Sequence, residues 1–158
     1  MPSTVLVTST GGAAAASLML ALESEAVRLL ACDVDPAAPG LRSVPPDRRF
    51  VIHRSDNPEF IGDLLALCVR CDVDLLVPTG DSQLVPVACA REVFERMGTR
   101  VLLAPASALN QGVAERRVVA ACRAEHAAAR LSGSASRMLQ RLRNVLAGHD
   151  VDPDEPSA

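Results

Sequence analysis

The chain has 158 residues, 49% of them apolar and 22% charged, with a net charge of −3. That is enough apolar surface for one domain with a real core. With three Phe and no Trp or Tyr, it has almost nothing on which nucleic-acid bases would stack, so no nucleic-acid partner is expected. No apolar run reaches the length of a membrane span, so no membrane partner is expected either. The N-terminus runs straight into a predicted strand without a leader. Five cysteines, an odd number, point to reduced thiols in a cytoplasmic protein rather than a disulfide framework. All sixteen basic residues are arginine, which removes every mechanism that needs a lysine.

Residues 4–9 read as the first strand and 13–23 as the first helix, joined by Ser9-Thr10-Gly11-Gly12. This strand, glycine turn and helix organise the rest of the chain. The turn calls for glycine because the backbone must reverse sharply, with a positive φ expected within it. The N–H groups of the first helical turn are then aimed at an anion, a phosphate or a carboxylate. As a dinucleotide fingerprint the turn is degenerate, reading Gly11-x-Ala13-x-x-Ala16. A second strand, 26–32, runs into Asp33-Val34-Asp35-Pro36, and Asp33 stands where a dinucleotide fold places its ribose-binding acid. The proline-rich stretch 37–49 reads as a loop and 50–53 as a short third strand.

Ser55-Asp56-Asn57-Pro58-Glu59 reads as a helix start, with Asp or Asn as cap and Pro58 in the first turn. The helix runs to about Cys71, and Phe60, Ile61, Leu64, Leu65, Cys68 and Cys71 recur at helical spacing. Cys68-x-x-Cys71 therefore falls on a buried stripe and reads as core, not as a redox or zinc site. A fourth strand, 74–78, opens into the turn Thr79-Gly80-Asp81-Ser82-Gln83. A helix over 84–97 tolerates Pro86 near its start and ends on Gly98. A fifth strand covers 100–104.

Strands and helices alternating on short connections give an α/β fold: a Rossmann-like, doubly wound parallel five-stranded sheet in order 3-2-1-4-5, followed by C-terminal helices. Ligands in such sheets lie beyond the carboxyl ends of the strands, which brings Thr10, Gly11, Gly12, Asp33, Asp35, Thr79, Asp81 and Gln83 together as candidate ligand-binding residues. His53, His126 and His149 are scattered, and no catalytic or metal-ligating constellation is readable.

Residues 107–131 and 137–147 read as helices joined by a Ser-Gly-Ser hinge. The second carries Met138, Leu139, Leu142, Val145 and Leu146 on one face. Residues 114–147 hold seven Arg against Glu115 and Glu125, while 148–158 form an acidic tail. The organisation expected is a domain over 1–112, a helical extension over 113–147 and a tail read as disordered.

Five pieces in order resemble the pre-ATP-grasp domain, the N-terminal domain of carbamoyl-phosphate-synthase-like and biotin-carboxylase-like ATP-grasp ligases. They are V-L-V-T-S-T-G-G at 5–12, C-D-V-D-P at 32–36, D-N-P-E-F-I-G-D-L-L at 56–65, D-L-L-V-P-T-G-D at 74–81 and R-V-L-L-A-P-A-S-A-L at 100–109. The resemblance implies packing against ATP-grasp domains at the acceptor end of an active site. Gly11 and Gly12 would then lie near an acid or acyl-phosphate substrate, with Thr79 and Asp81 in the same cleft.

The sequence departs from the family's P-T-x-D-x-E pattern at Gln83, where the carboxylate is replaced. It also lacks the lysine that opens the ATP-grasp domain in relatives, and only 113–158 follow. The reading is therefore a freestanding or remnant domain with no tightly bound cofactor. ATP and Mg²⁺ would be handled only through a separate ATP-grasp chain, and the C-terminal helices would bind that chain or a second copy. The alternative is a Rossmann-like sensor for a small carboxylate or a nucleotide. A dehydrogenase reading finds no residue set for hydride chemistry.

Overall fold

The computed structural model describes residues 2–103. The fifth strand ends at Val101, short of the expected 104, while residue 104, the helices over 107–131 and 137–147 and the acidic tail lie outside the described residues. Within them, β1 (Ser3–Val7), β2 (Val27–Asp33), β3 (Arg49–Val51), β4 (Leu75–Val77) and β5 (Arg100–Val101) form one parallel sheet in the order β3-β2-β1-β4-β5. The register pairs Val5 with Leu29 on one side and with Leu75 on the other. β1 is thus the central strand, and its residues are buried on both faces, as its unbroken apolar run requires.

Alternation along the strands divides the core into two layers. Val5, Val7, Ala31, Leu75 and Val77 face helix α1 (Ala13–Glu23), which buries Ala15, Leu18, Met19 and Leu22 against them, together with Leu41 of the one-turn helix α2 (Pro39–Arg42). Leu6, Leu30, Cys32 and Leu76 face the other way. They meet Phe60, Leu64 and Cys68 of α3 (Phe60–Arg70), Val87 of α4 (Asp81–Cys89) and Phe94 of α5 (Arg91–Arg96). Each fully buried Leu or Phe contributes about 1.5–3 kcal/mol by leaving water, so the fold rests on these two layers.

Several local expectations are corrected. The stretch 37–49 is not featureless, because it holds α2 and a 3₁₀ turn at Pro46–Arg48. Both begin on a proline, whose fixed φ suits a first helical position and whose missing N–H has no partner to lose there. Residues 55–59 form a turn ahead of α3 rather than its first turn: Asn57 Oδ1 accepts the Glu59 N–H at 2.8 Å and the Asn57 carbonyl accepts the Phe60 N–H at 3.1 Å.

The single helix read over 84–97 is two helices, α4 and α5, meeting at Ala90. The first starts three residues earlier, at Asp81, which places Pro86 in the second turn, where it cannot donate to the Ser82 carbonyl. Gly98 ends α5 as read, at φ 89°, with the Thr99 N–H closing on the Phe94 carbonyl at 2.9 Å. Cys68 is buried and Cys71 half-buried at the end of α3, both against the second core layer.

Candidate functional site

The switch point lies between β1 and β4. The helix following β1 packs on one face of the sheet and the helix following β4 packs on the other, so the two connections part company above the strand ends. Hydroxyl groups tie them together. Thr8, just past β1, donates its backbone N–H to the Val77 carbonyl at 3.2 Å and its hydroxyl to Gln83 Oε1. Thr79 Oγ1 donates to the Thr8 carbonyl at 2.5 Å, with the Ser9 carbonyl 3.3 Å away. Further out, Ser55 Oγ donates to Ser82 Oγ at 3.1 Å.

The turn itself corrects an expectation. The positive φ falls on Ser9, at 51°, while Gly12 sits at φ −91°. A Cβ on Gly11 would meet nothing nearer than 3.5 Å, and one on Gly12 nothing nearer than 3.7 Å. Close approach is required instead at Gly80, whose Cβ would stand 2.5 Å from Ser9 Oγ, and at Gly40, where it would stand 2.2 Å from the Thr10 carbonyl oxygen. Gly40 N–H donates to that same oxygen at 3.1 Å, which pins α2 to the turn. Ser9 in the left-handed region is a stored strain of about 1–2 kcal/mol, held by the hydrogen bond from the Gly12 N–H to its carbonyl at 3.2 Å and by the Thr79 hydroxyl.

Asp33, at the end of β2, turns toward the glycine turn. Its Oδ2 accepts the Gly11 N–H at 2.8 Å and its Oδ1 accepts the Asp35 N–H at 3.0 Å. Asp35 in turn accepts the Ala37 N–H at 2.8 Å. The chain's own carboxylate therefore occupies a donor of the glycine turn, where an external anion was the expected occupant.

The candidate residues sort by exposure. Thr10, Asp33, Thr79 and Gln83 are buried, whereas Gly11, Gly12, Asp35 and Asp81 face solvent. The buried four hold the loops in place, and the exposed four are the ones a ligand can touch. Asp81 is the first residue of α4, so its carboxylate meets the positive end of that helix.

Thr8, Ser9, Ser55, Ser82, Gly40 and Gly80 belong to the same constellation; Ser9, Gly80 and Ser82 lie in the two turns read from sequence, but none of the six was named as a ligand-binding candidate. Only Gly80, two residues after a strand-ending proline, carried a local signal. Gly40 had none, since its necessity comes from a contact with Thr10 across the fold. His53, two residues past β3, is bound twice by Asp63 Oδ2, through its backbone N–H at 2.8 Å and its Nδ1 at 2.7 Å, and does not join the candidates. Among the described residues no group of three or more His, Cys, Asp or Glu is placed to hold a metal ion.

Removing the Thr79 hydroxyl tests the tie between the two connections. Thr79→Val keeps the shape and leaves the Thr8 carbonyl short of a donor, so about 1–2 kcal/mol of stability should be lost. Urea unfolding of the two proteins measures it, and an unchanged midpoint would show that the bond is dispensable.

Comparison with known proteins adds to this geometry. No curated protein sequence matches the chain. Among solved structures, dTDP-glucose 4,6-dehydratase from Bacillus anthracis str. Ames in complex with NAD matches at TM-score 0.44 and 16% identity, over 63% of this chain and 36% of that one. The chain thus spans little more than a third of that dehydratase. No helix among the described residues is long and apolar enough to cross a membrane. The sequence profile of the PylC-like N-terminal domain matches residues 5–102, from within β1 to just past β5. With that match joined to a parallel 3-2-1-4-5 sheet and its loops at the β1–β4 switch point, the chain belongs to the PylC-like N-terminal domain family, a pre-ATP-grasp domain.

Proposed function

We propose that this domain is the accessory, acceptor-side part of an ATP-dependent carboxylate–amine ligase or carbamoyl-phosphate-synthase-like enzyme, and that it is not catalytic alone. The family match over residues 5–102 is the observation that carries the reading. In it, Gly11, Gly12 and Asp81 line the end of the cleft that receives the acid or acyl-phosphate group, and Asp35 lies at its margin. Asp33 holds the glycine turn from beneath by accepting the Gly11 N–H, and Thr79 and Gln83 hold the end of β1 through Thr8.

ATP and Mg²⁺ are bound by an ATP-grasp fold, which supplies phosphoryl transfer when present. Such chemistry needs metal between carboxylates and cations on the phosphates. The extension over 113–147 is the part we assign to a partner, either an ATP-grasp chain or a second copy, in a cytoplasmic setting. The nucleotide-sensor alternative has less support, since both oxygens of Asp33 are engaged by backbone N–H groups rather than left for a ribose.

Purified protein given ATP, Mg²⁺, bicarbonate and a panel of carboxylates and amines should release phosphate at background rate. Expressed with its genomic neighbours, it should co-purify with an ATP-grasp chain. Turnover by the chain alone that disappears in Asp81→Asn would overturn the accessory reading and make this a minimal enzyme.

A further inference from the structure

A cleft of about 290 Å³ lies at the edge of the sheet, between β3 and α3. None of the candidate ligand-binding residues lines it. Arg70, the last residue of α3, lies over the Phe50 ring at 5.4 Å from its centroid, while Asp63, two turns earlier, is bound to His53. The helix therefore runs back along the strand. Arg49 and Arg70 make one end of the cleft basic, and Phe50, Ala66 and Leu67 give it an apolar wall.

The basic end has no counter-charge of its own. Among the described residues no carboxylate pairs with Arg49 or Arg70, whereas Arg54, Arg91 and Arg96 each hold one. Arg48, one residue before β3, keeps its Nε buried without a hydrogen-bond partner. The acid of the cleft, Asp63, has its Oδ2 taken by His53. Residues 2–103 hold thirteen carboxylates against nine Arg, so arginines left unpaired together at one edge run against the composition.

Both guanidinium groups are also held in place. Arg49 donates its Nε to the Val44 carbonyl at 2.6 Å and its Nη2 to the Arg42 carbonyl at 3.4 Å, which leaves Nη1. Arg70 is steadied by the ring beneath it. Fixed planar donors of this kind suit a carboxylate or a phosphate.

We propose that this cleft binds a small organic anion. Its carboxylate or phosphate is held by Arg49 and Arg70, and its apolar body lies along Phe50 and Leu67. The volume stands at the lower end of ligand pockets, room for a body of about one ring. The proposal goes beyond the ligase reading and does not rest on it, because it uses none of the residues of that site.

The full chain titrated with phenyl phosphate and with benzoate, followed by amide NMR shifts, provides the test. At least one of them should shift the amides of 50–52 and 66–70, and the tighter of the two identifies the anion. Inorganic phosphate and neutral benzamide, each lacking one half of the match, should bind at least about tenfold more weakly. Arg70→Gln and Arg49→Gln should each weaken the tighter ligand at least about fivefold, and Arg91→Gln by less than about twofold. Arg70 is exposed and holds no loop, so it carries the test if Arg49→Gln disturbs the fold. Affinity indifferent to Arg70→Gln, benzamide binding as well as benzoate, or shifts confined to residues 10–12 and 79–83 would overturn the proposal. So would a hexaglutamate peptide that binds more tightly than either ring compound and is lost in Arg70→Gln, by assigning the face to an acidic protein segment.

Discussion

Gly40→Ala is expected to cost about 3 kcal/mol or more, whereas Gly11→Ala should stay within about 1 kcal/mol of the parent protein. At position 40 the new Cβ would stand 2.2 Å from the Thr10 carbonyl oxygen and 2.6 Å from Thr10 Cβ. Neither atom can swing away. The oxygen is main chain and already accepts the Gly40 N–H, and Thr10 is buried beneath the turn. Relief requires α2 to lift from the β1 turn, taking Leu41 out of the first core layer. At position 11 the nearest atoms are 3.5 and 3.6 Å away, an ordinary contact.

Gly62→Ala is the matched control. It lies exposed within α3 with nothing inside 4 Å of its Cβ, and should gain about 0.5–1 kcal/mol of helix propensity. Urea unfolding of the three variants checks the order. A Gly40→Ala protein as stable as its parent, beside a Gly11→Ala protein that fails, would place the tight spot of the fold in the wrong loop.

Stability should fall steeply between pH 9 and 12, and thiols should be responsible. Burial pushes Cys32 well above the usual thiol range, with the neighbouring Cys68 adding to the effect. Burial raises Cys68 to about 12, against a weaker lowering by a hydrogen bond involving the Thr99 side chain. An unfolded thiol ionises near pH 9, so above that pH the unfolded chain releases a proton that the folded chain keeps. The folded state then binds more protons, and stability declines as pH rises. Below pH 9 both states are protonated and the contribution is present in full.

For Cys68 alone the loss approaches about 4 kcal/mol by pH 12, at 1.36 kcal/mol per unit. That is a large part of the 5–15 kcal/mol of an ordinary domain. The chain makes the measurement clean, because it has no lysine and no tyrosine to titrate in the same window. Urea midpoints at pH 8 and 10.5 should differ by about 2 kcal/mol on account of Cys68, and Cys68→Ala should remove that share. A flat profile from pH 8 to 11 would mean that water reaches these thiols.

Much of the fold was legible because it is written in local periodicity. The β-branched run at 5–7, the alanine- and leucine-rich run behind it and the repeat of strand and helix predict α1 at its observed bounds and the 3-2-1-4-5 order. Gly98 was readable as a helix end because a left-handed C-cap is a local demand that glycine meets best. Four of the pieces that marked the pre-ATP-grasp resemblance include residues of β1, β2, β4 and β5, and the remaining one, 56–65, runs from the turn ahead of α3 into that helix.

What the sequence by itself determined, then, is the sheet, its order and the end of it where the candidate loops gather, since hydrophobic period and turn chemistry act over neighbouring residues. Only the tertiary structure decided the inside of that site. It put the positive φ on Ser9 instead of a glycine and made Gly40 and Gly80 the positions without room for a side chain. It turned Asp33 back onto Gly11 and sank Thr79 and Gln83 beneath the loops they hold. Each of these joins residues tens of positions apart, through contacts a few ångströms long. No local pattern encodes which carbonyl Gly40 will meet or which N–H Asp33 will satisfy. Those partners are chosen when the strands come into register and every buried polar group must find one.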